Sequence, residues 1–175
     1  WTGSLGAPLD TLPMDVAWDG ASTVWRTAGG LSPEPLKIRR STNKGANFAI
    51  FGNDADPTRA VITAITVIPS TGRIVVGLAV PGANDRVAIA FSDDQATSWT
   101  TVTVEPDQQT TPRSYSLTWI AGTTIMLISQ DAGPNLRLYR SLNGGATWAK
   151  VGPNRHFLFI WKDPVTGSVF SSSPT

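Results

Sequence analysis

Four arginines, Arg59, Arg86, Arg113 and Arg155, fall in stretches rich in turn-forming residues, together with Asp54, Asp56, Asp85, Asp131, Asn135 and the sole histidine, His156. A guanidinium presents a planar fork of N–H donors that fits a carboxylate, so arginines converging on one point would hold an anion. Two close carboxylates, as Asp54 and Asp56 offer, could divide general-acid and general-base duty. Beside Pro57 the same pair suits a turn, where Asp accepts backbone N–H groups, and that role is the favoured one. His156 has no second histidine to share a metal or triad, which assigns it to a surface or hydrogen-bonded structural role. Asp93 and Asp94 could take a surface calcium, but their place in a turn assigns them to structure. Trp25 and Trp161 offer another chemistry, a flat face on which a sugar ring can stack, although core packing accounts for most of the seven tryptophans.

Side chains spread this widely need a scaffold to gather them, and the scaffold is written as a repeat. Ser41-Thr42-Asn43-Lys44-Gly45-Ala46-Asn47-Phe48, Ser92-Asp93-Asp94-Gln95-Ala96-Thr97-Ser98-Trp99 and Ser141-Leu142-Asn143-Gly144-Gly145-Ala146-Thr147-Trp148 share one pattern. The pattern is Ser-x-(Asp/Asn)-x-(Gly/Ala)-x-x-(Trp/Phe), and it returns about every 50 residues, the signature of an array of similar units. Each position has a local task. Asn43, Asp94 and Asn143 can accept backbone N–H groups of the turn, Gly45 and Gly145 can take a positive φ, and Phe48, Trp99 and Trp148 open the returning strand.

Between these turns the sequence reads as strands. Apolar and polar residues alternate over 14–19 and 23–28 around Gly20, over 62–68 and 73–79 around Pro69–Gly72, over 115–120 and 124–130 around Ala121-Gly122, and over 157–162 and 168–172 around 163–167. A third strand (36–40, 86–91, 136–139) leads into each repeated turn and a fourth leaves it. The plan is three units of four strands, one strand before them and two after.

The repeated turn resembles the Asp-box, or BNR repeat, which joins the third and fourth strands of blades in sialidase-like β-propellers. Ala96 stands where Gly is usual, and Asn43 and Asn143 where Asp is usual; all three copies keep the acceptor oxygen. The resemblance implies an all-β fold, a β-propeller of four-stranded antiparallel blades at 14–52, 62–104 and 115–152 with partial blades at 1–8 and 156–175. About three and a half blades are then present of a ring of six or seven, and the chain reads as part of a longer polypeptide; the alternative is a small four-bladed ring whose last blade mixes both termini but would lack its third strand. The resemblance also implies that ligands meet the face opposite the boxes, where the inner loops and blade connections place Asp54, Asp56, Arg59, Asp85, Arg86, Arg113, Asp131, Asn135, Arg155 and His156.

That family spans hydrolases, lectin-like binders, assembly factors, sorting receptors and phage proteins, so fold alone does not settle function. A sialidase needs an arginine cluster, a Tyr polarised by Glu, and an acid/base Asp. The family's Arg-Ile-Pro signature is absent, Ile38-Arg39-Arg40 being the nearest string, and the two tyrosines, Tyr115 and Tyr139, sit inside strand patterns. No catalytic residue, cofactor or metal is therefore assigned.

Composition narrows the field further. The chain is 41% hydrophobic and only 15% charged, which excludes a disordered or fibrous class. A net charge of +1 supplies no field toward nucleic acid, and no apolar run is long enough to insert in a membrane. The absence of cysteine removes disulfides and thiolate chemistry. The expectation is a non-enzymatic recognition or structural module that binds a cell-surface glycan or a protein receptor, extracellular or on a virion surface. Further copies or further blades of the chain are its expected neighbours. The alternatives are a sialidase-like hydrolase with catalytic residues partly outside this stretch, and an assembly scaffold.

Overall fold

A computed structural model describes residues 15–27, 36–55, 61–79, 87–104, 114–130, 136–152, 160–163 and 165–171. Among these residues the only regular elements are strands. Sheet I contains β1 (Val16–Trp18), β2 (Val24–Thr27), β3 (Ile38–Ser41) and β4 (Ala49–Phe51). Sheet II contains β5 (Val61–Ile68), β6 (Arg73–Ala79), β7 (Ala88–Ser92) and β8 (Thr100–Thr103). Sheet III contains β9 (Ser114–Ala121), β10 (Thr124–Gln130), β11 (Leu136–Ser141) and β12 (Ala149–Lys150), and sheet IV pairs β13 (Ile160–Lys162) with β14 (Val169–Ser171). Every strand pairs antiparallel with its sequence neighbour, so each sheet is a meander. The expected all-β class and the four-stranded units are present, with strand ends shifted by one to three residues. The expected strand within 1–8 lies outside the described residues.

The first strands of successive sheets pack in sequence order, β1 on β5, β5 on β9 and β9 on β13. Three apolar cores fill the junctions. Trp25 and Ile38 of sheet I meet Ile65, Val67, Ile74, Val76 and Leu78 of sheet II. Val75, Ile89 and Ile68 on the other side of sheet II meet Leu117, Ile125, Leu127 and Tyr139 of sheet III. Ile128 and Leu136 then meet Ile160 of sheet IV. Sheet II is thus covered on both faces, which is why Ile74, Val75, Val76 and Leu78 can run as a continuous apolar string where a half-exposed strand would alternate.

Polar staples hold the same junctions. Asn53 N–H donates to the carbonyl of Ala96 at 2.8 Å, its side-chain amide to the carbonyl of Thr97 at 2.7 Å, and Trp99 Nε1 donates back to the carbonyl of Asn53 at 3.0 Å. Between sheets II and III one side chain does comparable duty. The Arg73 guanidinium grips Asp93 through both oxygens at 2.6 and 2.7 Å, donates to the carbonyls of Asn143 and Gly144 at 3.3 and 3.1 Å, and lies over the Phe91 ring at 4.4 Å.

An isolated exposed ion pair contributes little, but a bidentate, ring-stacked arginine that also satisfies two carbonyls contributes more. Arg73→Ala is expected to lower stability by about 2 kcal/mol in urea titrations, and Asp93→Asn by roughly 0.5 kcal/mol, because the arginine keeps its carbonyl partners. Equal losses from both variants would show that the ion pair alone matters.

Candidate functional site

The repeated turns are built identically. In each, a buried serine at the end of the third strand accepts the N–H four residues on: Gly45 to Ser41 Oγ at 2.9 Å, Ala96 to Ser92 Oγ at 2.8 Å, and Gly145 to Ser141 Oγ at 2.8 Å. The serine hydroxyl donates to the side-chain oxygen of Asn43, Asp94 or Asn143, at 2.7, 2.8 and 3.0 Å. That oxygen in turn accepts the N–H of Asn47, Ser98 or Thr147, at 3.0, 2.8 and 2.9 Å. An amide oxygen and a carboxylate oxygen serve equally here, since both accept. The fifth position has φ of +87° at Gly45, +63° at Ala96 and +94° at Gly145. Ala96 therefore carries a left-handed strain that the glycines avoid.

In the second copy the acceptor is ionised. The Ser98 hydroxyl, the Ser98 N–H and the Ser92 hydroxyl all donate to Asp94 and pull its carboxyl down to about 2. The closing aromatics serve the turns and their neighbours: Trp148 Nε1 donates to the Gly145 carbonyl at 2.9 Å, and Phe48 lies under the Arg26 guanidinium at 4.8 Å. Asp93 is taken up by Arg73, and among the described residues no group of three or more His, Asp or Glu is placed to hold a metal ion.

A different place gathers concave surface. The first strands of all four sheets wall a cavity of about 540 Å³ lined by Asp15, Trp18, Thr66, Ser116, Trp119 and Lys162, with Trp161 and apolar residues of β1, β5, β9 and β13. Side chains stitch this wall across the sheets. Asp15 Oδ2 accepts the N–H of Ile65 at 2.9 Å, Thr66 Oγ1 accepts the N–H of Trp119 at 3.1 Å, and Thr118 Oγ1 donates to the carbonyl of Ile160 at 3.0 Å. The Lys162 ammonium stands 4.0 Å from the centre of the Trp119 ring.

Burial pushes the Asp15 carboxyl up to about 6, against the N–H groups of Ile65 and Val16 that favour its charged form. The cavity wall thus combines a carboxyl, an ammonium, hydroxyls and indole rings, a set that can hydrogen-bond and stack on a small polyhydroxylated ligand.

Of the residues expected on a ligand face, Asp54 is described. It is exposed and follows Asn53, which is bonded to the turn of sheet II, so it lies at that junction and outside the cavity wall. Asp56, Arg59, Asp85, Arg86, Arg113, Asp131, Asn135, Arg155 and His156 lie outside the described residues. Trp161 does line the cavity, whereas Trp25 is buried between sheets I and II and cannot stack on a ligand. Tyr139 is likewise a core residue. Sequence reasoning passed over Asp15, Ser116 and Lys162. Their signal was faint: each reads as an ordinary polar position in an alternating strand pattern.

No protein-family model matches the chain, and no curated protein does. Among solved structures the chain is similar to a protein of unknown function from Dyadobacter fermentans DSM 18053, with a TM-score of 0.51 and 17% identity over 82% of this chain and 51% of that one. That likeness shows a shared fold, and the chain spans about half the length of that structure.

Proposed function

We infer that the chain is a β-propeller segment with Asp-box turns, working as a recognition module that takes a carbohydrate in the cavity between its inner strands. The observation supporting this reading is the wall itself: the Lys162 ammonium stands beside the Trp119 ring, and Asp15, Thr66 and Ser116 share the same lining. An ammonium suits the carboxylate of an acidic sugar, hydroxyl and carboxyl groups suit ring hydroxyls, and an indole suits the apolar face of a pyranose. Among the described lining residues Asp15 is the single carboxylate, a set for holding a glycan. A receptor-binding role of this kind fits an extracellular or virion-surface protein.

Calorimetric titration with sialyllactose and with lactose tests it. Saturable binding of at least one sugar is expected, with Lys162→Ala weakening sialyllactose roughly tenfold and lactose much less. Ser116→Ala is expected to weaken both. Absence of binding to either sugar, or binding indifferent to both substitutions, sinks the reading.

A further inference from the structure

The register of the sheets makes their residues comparable. Trp18 pairs with Val24, which pairs with Ser41; Val67 reaches Ser92 through Ile74, and Trp119 reaches Ser141 through Ile125. Trp18, Val67 and Trp119 are therefore one position, and Val16, Ile65 and Leu117 are the position two residues before it. In sheets II and III these side chains pack backward, into the core shared with the preceding sheet. In sheet I the same two belong to no core of described residues: Val16 is 55% and Trp18 59% exposed.

The residue between them points forward. Thr66 binds the backbone of sheet III and Thr118 that of sheet IV. Sheet IV aligns through its hairpin, because Asp163 N–H donates to the Ser168 carbonyl as Asp19 N–H donates to that of Thr23. Trp161 then occupies the forward position. It is 53% exposed and stacks on its cross-strand partner Phe170, itself 51% exposed, with ring centroids 5.6 Å apart. Among the described residues one backward face and one forward face are so left uncovered, the two halves of the junction that these residues use internally three times.

We propose that these faces seat a second copy of this chain, the Val16/Trp18 face of each against the Trp161/Phe170 face of the other, closing one ring from two chains. A front-to-back contact repeats until rotation closes it, and closure by two leaves neither face exposed. Large uncovered aromatics concentrated on two faces are the mark of a protein contact. The proposal rests on the register and on these faces, and not on sugar binding: a dimer that binds no sugar leaves it intact.

Light scattering on the eluting 175-residue chain reads the outcome directly. The expected mass is twice 18.6 kDa. Trp18→Arg and Phe170→Glu, each at an exposed position, are expected to weaken the dimer at least roughly tenfold when studied alone. Mixing the two variants is expected to restore a dimer, because one junction then joins Arg to Glu and the other is unaltered. A contact of Trp18 with Trp18 would not be restored by mixing and would overturn the front-to-back geometry. A wild-type chain that stays monomeric while near-ultraviolet circular dichroism shows it folded would overturn the proposal and assign both faces to further blades of one polypeptide. A mass that keeps growing with concentration would overturn closure by two.

Discussion

Replacing Gly52 with alanine is expected to cost roughly 3–5 kcal/mol, the sum of a left-handed backbone strain and an overpacked junction. Gly52 follows β4 with φ +76°, and a Cβ built there would meet the Ala96 side chain and stand 2.6 Å from the Ala96 carbonyl oxygen. That carbonyl cannot move aside cheaply, because it accepts the N–H of Asn53 at 2.8 Å. Ala96 is itself buried in the core between sheets I and II. The glycine therefore makes room for the one repeated turn that carries alanine at its fifth position. Gly20→Ala is the control: φ is +85° but nothing lies within 4 Å of the added methyl, so only the backbone strain of about 1 kcal/mol is paid. Urea unfolding of the two variants reads the difference. Equal losses would mean that the junction between sheets I and II yields without resistance.

The second large effect concerns pH. Asp15 binds its proton more tightly folded than unfolded, since burial raises its carboxyl from 3.8 to about 6. Its contribution to stability is fully present below pH 3.8 and is lost as pH rises toward 6, by at most about 3 kcal/mol. Asp94 works in the opposite sense: held near 2 by Ser98 and Ser92, it favours the folded state above its ordinary pKa, and that contribution disappears as pH falls from 3.8 toward 2. Stability is therefore expected to peak near pH 4 as far as these two groups decide it. Asp15→Asn removes the titration. The amide keeps one acceptor for the N–H groups of Ile65 and Val16 but loses the other, a cost of about 1 kcal/mol that shows at pH 4. Above pH 6 the variant is expected to be the more stable protein, and its profile between pH 4 and 6 flatter. A wild-type midpoint that rises through that interval would contradict the assignment.

How much of this was legible beforehand depends on how far each interaction reaches. The repeated turns could be read from the sequence because their hydrogen bonds close within four residues: Ser92 with Asp94 and Ala96, Asp94 with Ser98. Turn chemistry of that range follows from residue type and spacing, and so do the hairpins it generates and the division into sheets. The same locality explains why the exchange of Asp for Asn was harmless in prospect and in the structure.

What joins the sheets was not legible. Arg73 reads as one dispersed surface arginine among ten, yet its guanidinium joins the Asp93 turn to the carbonyl of Gly144, which lies 71 residues beyond Arg73 along the chain. Asp15 reads as a strand-edge carboxylate, yet its proton affinity is set by the backbone of Ile65 and by the cover that sheet II provides. The cavity wall shares this character, since each first strand contributes only a few side chains and none of the four segments marks itself as part of a site.

Trp18 and Trp119 mark the boundary between the two kinds of knowledge. They are the same residue at the same register position of equivalent strands, and the sequence determined that each would lie in the first strand of a four-stranded unit. Only the tertiary structure decided their environments. Trp119 packs into the core with sheet II, while Trp18 faces outward because no described sheet stands behind sheet I. The physical reason is that a strand's own alternation chooses a face, whereas the free energy of burying that face depends on whether another surface arrives to cover it.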